Sequence, residues 1–131
     1  MNPAMQAELG KLVLRIALGV MVLLHGVAKL RGGLDGLESL VASHGLPPVL
    51  AYGALLGEVA GPLLLIAGFH GRIGALLIAI NMLFAIGLAH SNQLTQLGEQ
   101  GGWALELQGM FLFAAIALAL LGPGRYSVNN R

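Results

Sequence analysis

The sequence contains no cysteine. That absence excludes disulfides, thiolate metal sites and a cysteine redox relay within the chain. Charge is nearly as scarce. Asp, Glu, Lys and Arg make up 10% of 131 residues, against about 25% in ordinary soluble domains. The net charge is +1 and aromatic residues are 5%. With neither a basic run nor stacked aromatics, the chain offers no footing for nucleic acid. No phosphate-binding glycine loop, metalloprotease motif or zinc-ligand spacing occurs, so no metal site is expected.

What is there is apolar. Hydrophobic residues are 56% of the chain and mean hydropathy is +0.81. In water such a chain would expose large apolar patches and aggregate. A lipid bilayer covering them is the simpler reading. Apolar stretches run over about 9–30, 49–69, 73–90 and 102–121, lengths suited to a hydrocarbon core of ~30 Å. The first contains Arg15 and ends in His25-Gly26-Val27-Ala28-Lys29. It lacks the short core and cleavage site of a signal peptide and reads as a retained helix.

Between the first two stretches, Gly32-Gly33 breaks the helix and Asp35 with Glu38 looks like a capping box. Leu34, Leu37, Leu40 and Val41 follow at helical spacing, and Gly45 with Pro47-Pro48 stops the segment. It is too short to span and reads as an amphipathic helix at the interface or over the bundle. Gly53, Gly57 and Gly61 form a small-residue ridge for close helix approach. Trp103 is an interfacial anchor for the last stretch. The expected fold is all-α: one domain over 1–131, a four-helix transmembrane bundle with a short amphipathic helix between spans 1 and 2. Lys11, Arg15, Arg72, Arg125 and Arg131 fall on the side of the termini, and Lys29 and Arg31 on the other. The excess places both termini in the cytoplasm of an inner-membrane protein.

The informative residues are the ionisable ones inside these stretches. A charge there costs about 2.5–3.5 kcal/mol on insertion scales. Counted from the outer boundary, Lys29 and His90 lie close to it, His25 and Glu106 roughly 6 Å in, and Glu58 and Asn81 roughly 14–15 Å in. Arg15 lies deeper, toward the cytoplasmic half. His25 and Lys29 are four apart and share a face, and Arg15, Gly19, Val22, Gly26 and Lys29 form one stripe. Asn81 and His90, nine apart, point to opposite sides of an ideal helix. The expected pocket draws on His25, Lys29, Glu58, Asn81, His90 and Glu106. Arg15 either reaches toward headgroups or forms a structural ion pair with Glu58.

Each residue also has a bland reading. Lys29 can anchor the outer interface, His25 can be a packing histidine and His90 can merely end its helix. His44 and His70 sit in connectors. Met21, Met82 and Met110 read as core or lipid-facing residues. Glu58 has no such reading, because a carboxylate at that depth must be paired or protonated.

Leu14-Arg15 with Gly19, His25-Gly26 with Lys29-Leu30, Gly45-Leu46-Pro47, Glu58 with Gly61 and Gly68 followed by Arg72 occur in this order. Gly101-Gly102 with Glu106 and the ending Gly122-Pro123-Gly124-Arg125-Tyr126-Ser127 complete the series. In these pieces the chain resembles the DoxX family of small four-span membrane proteins. Pro62 stands where that family often has a second Gly, and Asn129 where an acidic residue is common. The resemblance implies a four-helix membrane fold and a link to respiratory redox systems: quinol oxidation, quinone-coupled thiosulfate oxidation and resistance to oxidative stress.

Three functions fit. The first is a quinone-interacting or redox-accessory subunit of an oxidoreductase system, with His25 and Lys29 donating to the quinone and Glu58 or Glu106 taking protons. With no haem ligand pair at matched depth, a redox partner protein would supply the other centre. The second is an assembly or binding module whose buried ion pairs are structural. The third is transport of a small solute by a homo-oligomer; inverted repeats are missing.

Overall fold

In the computed structural model, residues 2–33, 35–89, 97, 102 and 105–129 are described. His90, Trp103 and most of the 90–101 loop lie outside them. All helices named below are among the described residues.

Helix α1 runs Pro3–Gly32. It starts earlier than the apolar run because Asn2 caps it: the Asn2 side chain accepts a hydrogen bond from the Met5 backbone N–H at 2.8 Å, and Pro3 occupies the first turn. Helix α2 is Asp35–Ser43, with Asp35 and Glu38 in its first turn, where carboxylates complement the helix dipole. Gly45 then turns the chain at φ 76°.

The next helix, α3 (Val49–Ala67), is not uniform. It opens with a 3-10 segment, Pro48–Tyr52, that packs under α2. After Gly53–Leu55 comes a π-helical turn, Leu56–Ala60, and then regular α-helix over Gly61–Ala67. The π bond runs from the Gly61 N–H to the Leu56 carbonyl. Pro62 supplies the cause. It has no N–H for the Glu58 carbonyl, so the α-ladder cannot continue through this turn. Helix α4 is Gly71–Ala89 and α5 is Glu106–Leu121. α5 begins four residues later than the apolar run, since Gly102 is a bend and not yet helical.

α1 and α3 are long and apolar enough to cross a membrane. α5, with 16 residues, is about 24 Å long. α4 lies between α3 and α5. The core is a cluster of Leu18 and Val22 from α1, Leu65 from α3, Ile78 and Met82 from α4, and Phe111 and Leu118 from α5. On the outside the pattern inverts: Val13, Leu24, Leu63, Leu76, Leu83, Phe113 and Leu120 are all exposed. That apolar exterior is what a lipid-facing surface requires.

The glycines set the spacing. A Cβ at Gly61 would crowd the Gly74 carbonyl on α4, and one at Gly74 would crowd Gly61. The ridge therefore works at Gly57 and Gly61, while Gly53 faces open space.

The end of the bundle that carries the termini is tied by its tail. Gly68 closes α3 in the left-handed region at φ 73°, and the Val128 and Asn129 N–H groups donate to the Ala67 and Gly68 carbonyls. The His70 N–H, on a residue at φ 49°, donates to Asn129 Oδ1 at 2.7 Å. Glu8, ahead of the apolar run, accepts the Arg125 N–H at 2.7 Å. That hydrogen bond, with Lys11 beside it, holds the Glu8 carboxyl below its ordinary value.

Candidate functional site

The polar groups gather where the π-turn of α3 meets α1 and α4. The Glu58 carboxylate is buried at 5% exposure. The Lys29 ammonium of α1 donates to its Oε2 at 2.5 Å, and the Asn81 amide of α4 donates to its Oε1 at 3.2 Å. Three helices thus converge on one carboxylate. Lys29 keeps two further N–H donors, and Asn81 its carbonyl oxygen.

Two glycines make the convergence possible. A Cβ on Gly26 would collide with the Glu58 carbonyl oxygen, so α1 rests directly on the backbone of the π-turn. A Cβ on Gly57 would collide with the Asn81 side chain. The carbonyl that Pro62 cannot serve in α-helical register is the one that faces Gly26.

This cluster forms one end of a cavity of about 320 Å³. The rest of the lining is apolar. Leu37 and Val41 of α2 line it with Leu46, as do Ala51, Leu77 and Phe84. Sites for small molecules share this character, largely apolar walls with few polar groups.

Lys29, Glu58 and Asn81 of the sequence-derived set come together here. His25 and Glu106 do not join them. His25 is exposed and sets its ring edge-on against Phe111 of α5, centroids 5.7 Å apart. Glu106 is exposed in the first turn of α5, near Gly102. His90 lies outside the described residues.

Arg15 does not pair with Glu58. Its Nη1 donates to the Pro123 carbonyl at 2.8 Å and its Nη2 to the Tyr126 carbonyl at 2.7 Å. The reason is distance: Arg15 and Lys29 are fourteen residues apart on α1, about 21 Å. Arg15 is a buried cation at 3% exposure beside the carboxyl ends of α3 and α5, where helix dipoles favour positive charge. Glu58 is level with Gly26 of α1, four residues or about 6 Å from Leu30, and the 3-10 segment Pro48–Tyr52 packs under α2. The π-turn itself escaped sequence reading, although Pro62 inside an apolar helix was its signal.

The DoxX family model matches residues 10–91. That stretch holds the whole Lys29–Glu58–Asn81 cluster, while α5, Glu106 and the tail lie beyond it. The chain is 34% identical over 79 residues to the Bacillus subtilis (strain 168) protein named "Putative oxidoreductase CatD". The aligned part is 60% of this chain and 58% of that relative, so the match spans less than two thirds of the relative's length. No solved structure matches the chain. With a family match over well more than half of its residues, the chain belongs to the DoxX family of membrane-associated proteins.

Proposed function

We propose that this chain is a four-span inner-membrane protein, termini in the cytoplasm, that binds a quinone at the Lys29–Glu58–Asn81 cluster as part of an oxidoreductase system. The observation that carries the reading is the cavity: apolar walls around one carboxylate, one ammonium and one amide. A quinone head needs donors to its carbonyl oxygens, and Lys29 and Asn81 have N–H groups for them. Oxidation of the quinol releases two electrons and two protons. Glu58 takes the first proton, once Lys29 turns toward the ligand, and the second passes to bulk water on the exposed side of Lys29. The electrons pass to a partner protein's redox centre. α4 and α5 serve as the third and fourth spans. The relative named as an oxidoreductase supports this class of role.

The test is ligand protection. A tail-less quinone such as duroquinone should raise the melting temperature of the purified protein, and Glu58→Gln and Lys29→Met should abolish the rise. No shift with any quinone rejects the reading.

A structural role has its own supporting observation, because the cluster joins α1, α3 and α4 as a tie would. Under that reading no quinone protects the protein, while the same substitutions lower its melting temperature.

A further inference from the structure

We infer that the cavity opens sideways into the hydrocarbon of the bilayer and admits a ligand dissolved there: a neutral amphiphile with a hydrogen-bonding ring and an apolar tail that stays outside. The identity of the ring rests on the quinone reading; the route does not.

The argument starts from where the cavity wall reaches the surface. Glu58 and Asn81 are buried at 5% and 9% exposure, so the polar groups form the closed end. Lys29 is the one polar lining residue partly exposed, at 31% of its side chain. The exposed lining residues are Leu46, Gly53 and, at 50–59%, Leu50, Leu56, Ile80 and Phe84. None has a polar side chain. A mouth meant for solutes from water would carry polar groups at its rim.

Helical phase extends the rim into the lipid-facing belt. Leu76, Ile80, Leu83 and Phe84 share a face of α4, and on α3 Leu63 follows the π-turn that carries Leu56. All six are exposed. On the α2 side, Val41 lines the cavity and is buried at 2% exposure.

Size gives the tail. Small-molecule sites run to about 300–1,000 Å³, and this one, at about 320 Å³, holds a ring and little more. A longer apolar chain must pass between α3 and α4 and lie against Leu56 and Phe84.

The absence of cysteine makes the test direct. Phe84→Cys carries a fluorescent label in liposomes of phosphatidylethanolamine and phosphatidylglycerol. Phospholipids brominated on the acyl chain should quench it strongly and aqueous iodide weakly. The reverse order overturns the inference. A second arm uses Gly53→Trp: Gly53 lines the cavity and a Cβ there would meet nothing within 4 Å, so the indole has space in which to narrow the opening. An isoprenoid-tailed benzoquinone should bind this variant about tenfold more weakly, and duroquinone within about twofold of the unaltered protein. Equal losses for both, or none for either, overturn the inference. Acyl-chain quenching of the labelled protein, with neither quinone bound by the unaltered one, would support the sideways opening and reject the quinone reading alone.

Discussion

The Lys29–Glu58 pair predicts an asymmetric response to mutation. The side chain of Lys29 is 31% exposed and that of Glu58 only 7%. Lys29→Met removes the partner from a carboxylate that cannot reach water, and breaking a buried pair this way costs about 3–5 kcal/mol. Glu58→Gln leaves the opposite situation. The lone ammonium is partly exposed on a flexible stem, and a Gln oxygen still accepts from Asn81. Its cost falls between the exposed and buried limits, about 1–2 kcal/mol. The double substitution Lys29→Met with Glu58→Gln strands no charge and should lie within about 1 kcal/mol of the unaltered protein. Denaturant unfolding in a fixed detergent, followed by far-UV circular dichroism, measures all three. The reasoning fails if Glu58→Gln is as damaging as Lys29→Met, or if the two losses simply add.

The glycines of α1 supply an internal comparison in the same assay. Gly26→Ala drives a methyl into the Glu58 carbonyl and should destabilise by about 1–3 kcal/mol, whereas Gly10→Ala meets nothing within 4 Å and should stabilise by up to about 1 kcal/mol. Arg15→Lys cannot hold both the Pro123 and Tyr126 carbonyls in a fork, and should lower the melting temperature and expose the 122–129 tail to protease. Because its folded carboxyl is held below the ordinary value, Glu8 contributes stability that is present above that value and lost as pH falls through the folded one. Glu8→Gln should therefore flatten the acid limb of the melting-temperature profile while the rest of the curve keeps its shape.

How far the sequence could lead depended on the kind of partner each residue has. The stripe Arg15, Gly19, Val22, Gly26 was readable from 3.6-residue spacing, and all four are buried. Lys29 continues that stripe; His25, only one turn away, turns outward to Phe111. Sharing a face was too coarse a criterion, because the buried strip is narrow and four residues rotate the helix by about 40°. The second helix between the first two long ones was readable from Leu37 and Val41, and both line the cavity. Arg15 was not readable, because its partners are backbone carbonyls, which every residue possesses and no side-chain pattern marks. The apolar run starts at about Gly102 but the helix only at Glu106, so Glu106 falls in the first turn and not one turn inside.

The two ends of the bundle are built for different tasks. At the termini, Arg15, Gly68, Asn129 and Glu8 fix the tail by hydrogen bonds whose partners are mostly backbone groups. At the other end the helix departs from α geometry twice, in the 3-10 segment and the π-turn. Proline and glycine enforce the second departure: Pro62 withholds an N–H, and Gly26 and Gly57 let two neighbouring helices press on the turn. Such insertions in a helix recur at functional sites because they re-aim a side chain without ending the helix. Here the re-aimed side chain is Glu58, and it meets Lys29 and Asn81 at the closed end of an apolar cavity. A purely structural ion pair would gain nothing from that cavity, since filling it would add packing. The combination of a displaced carboxylate, unused donors and a retained void is what favours a ligand over a tie.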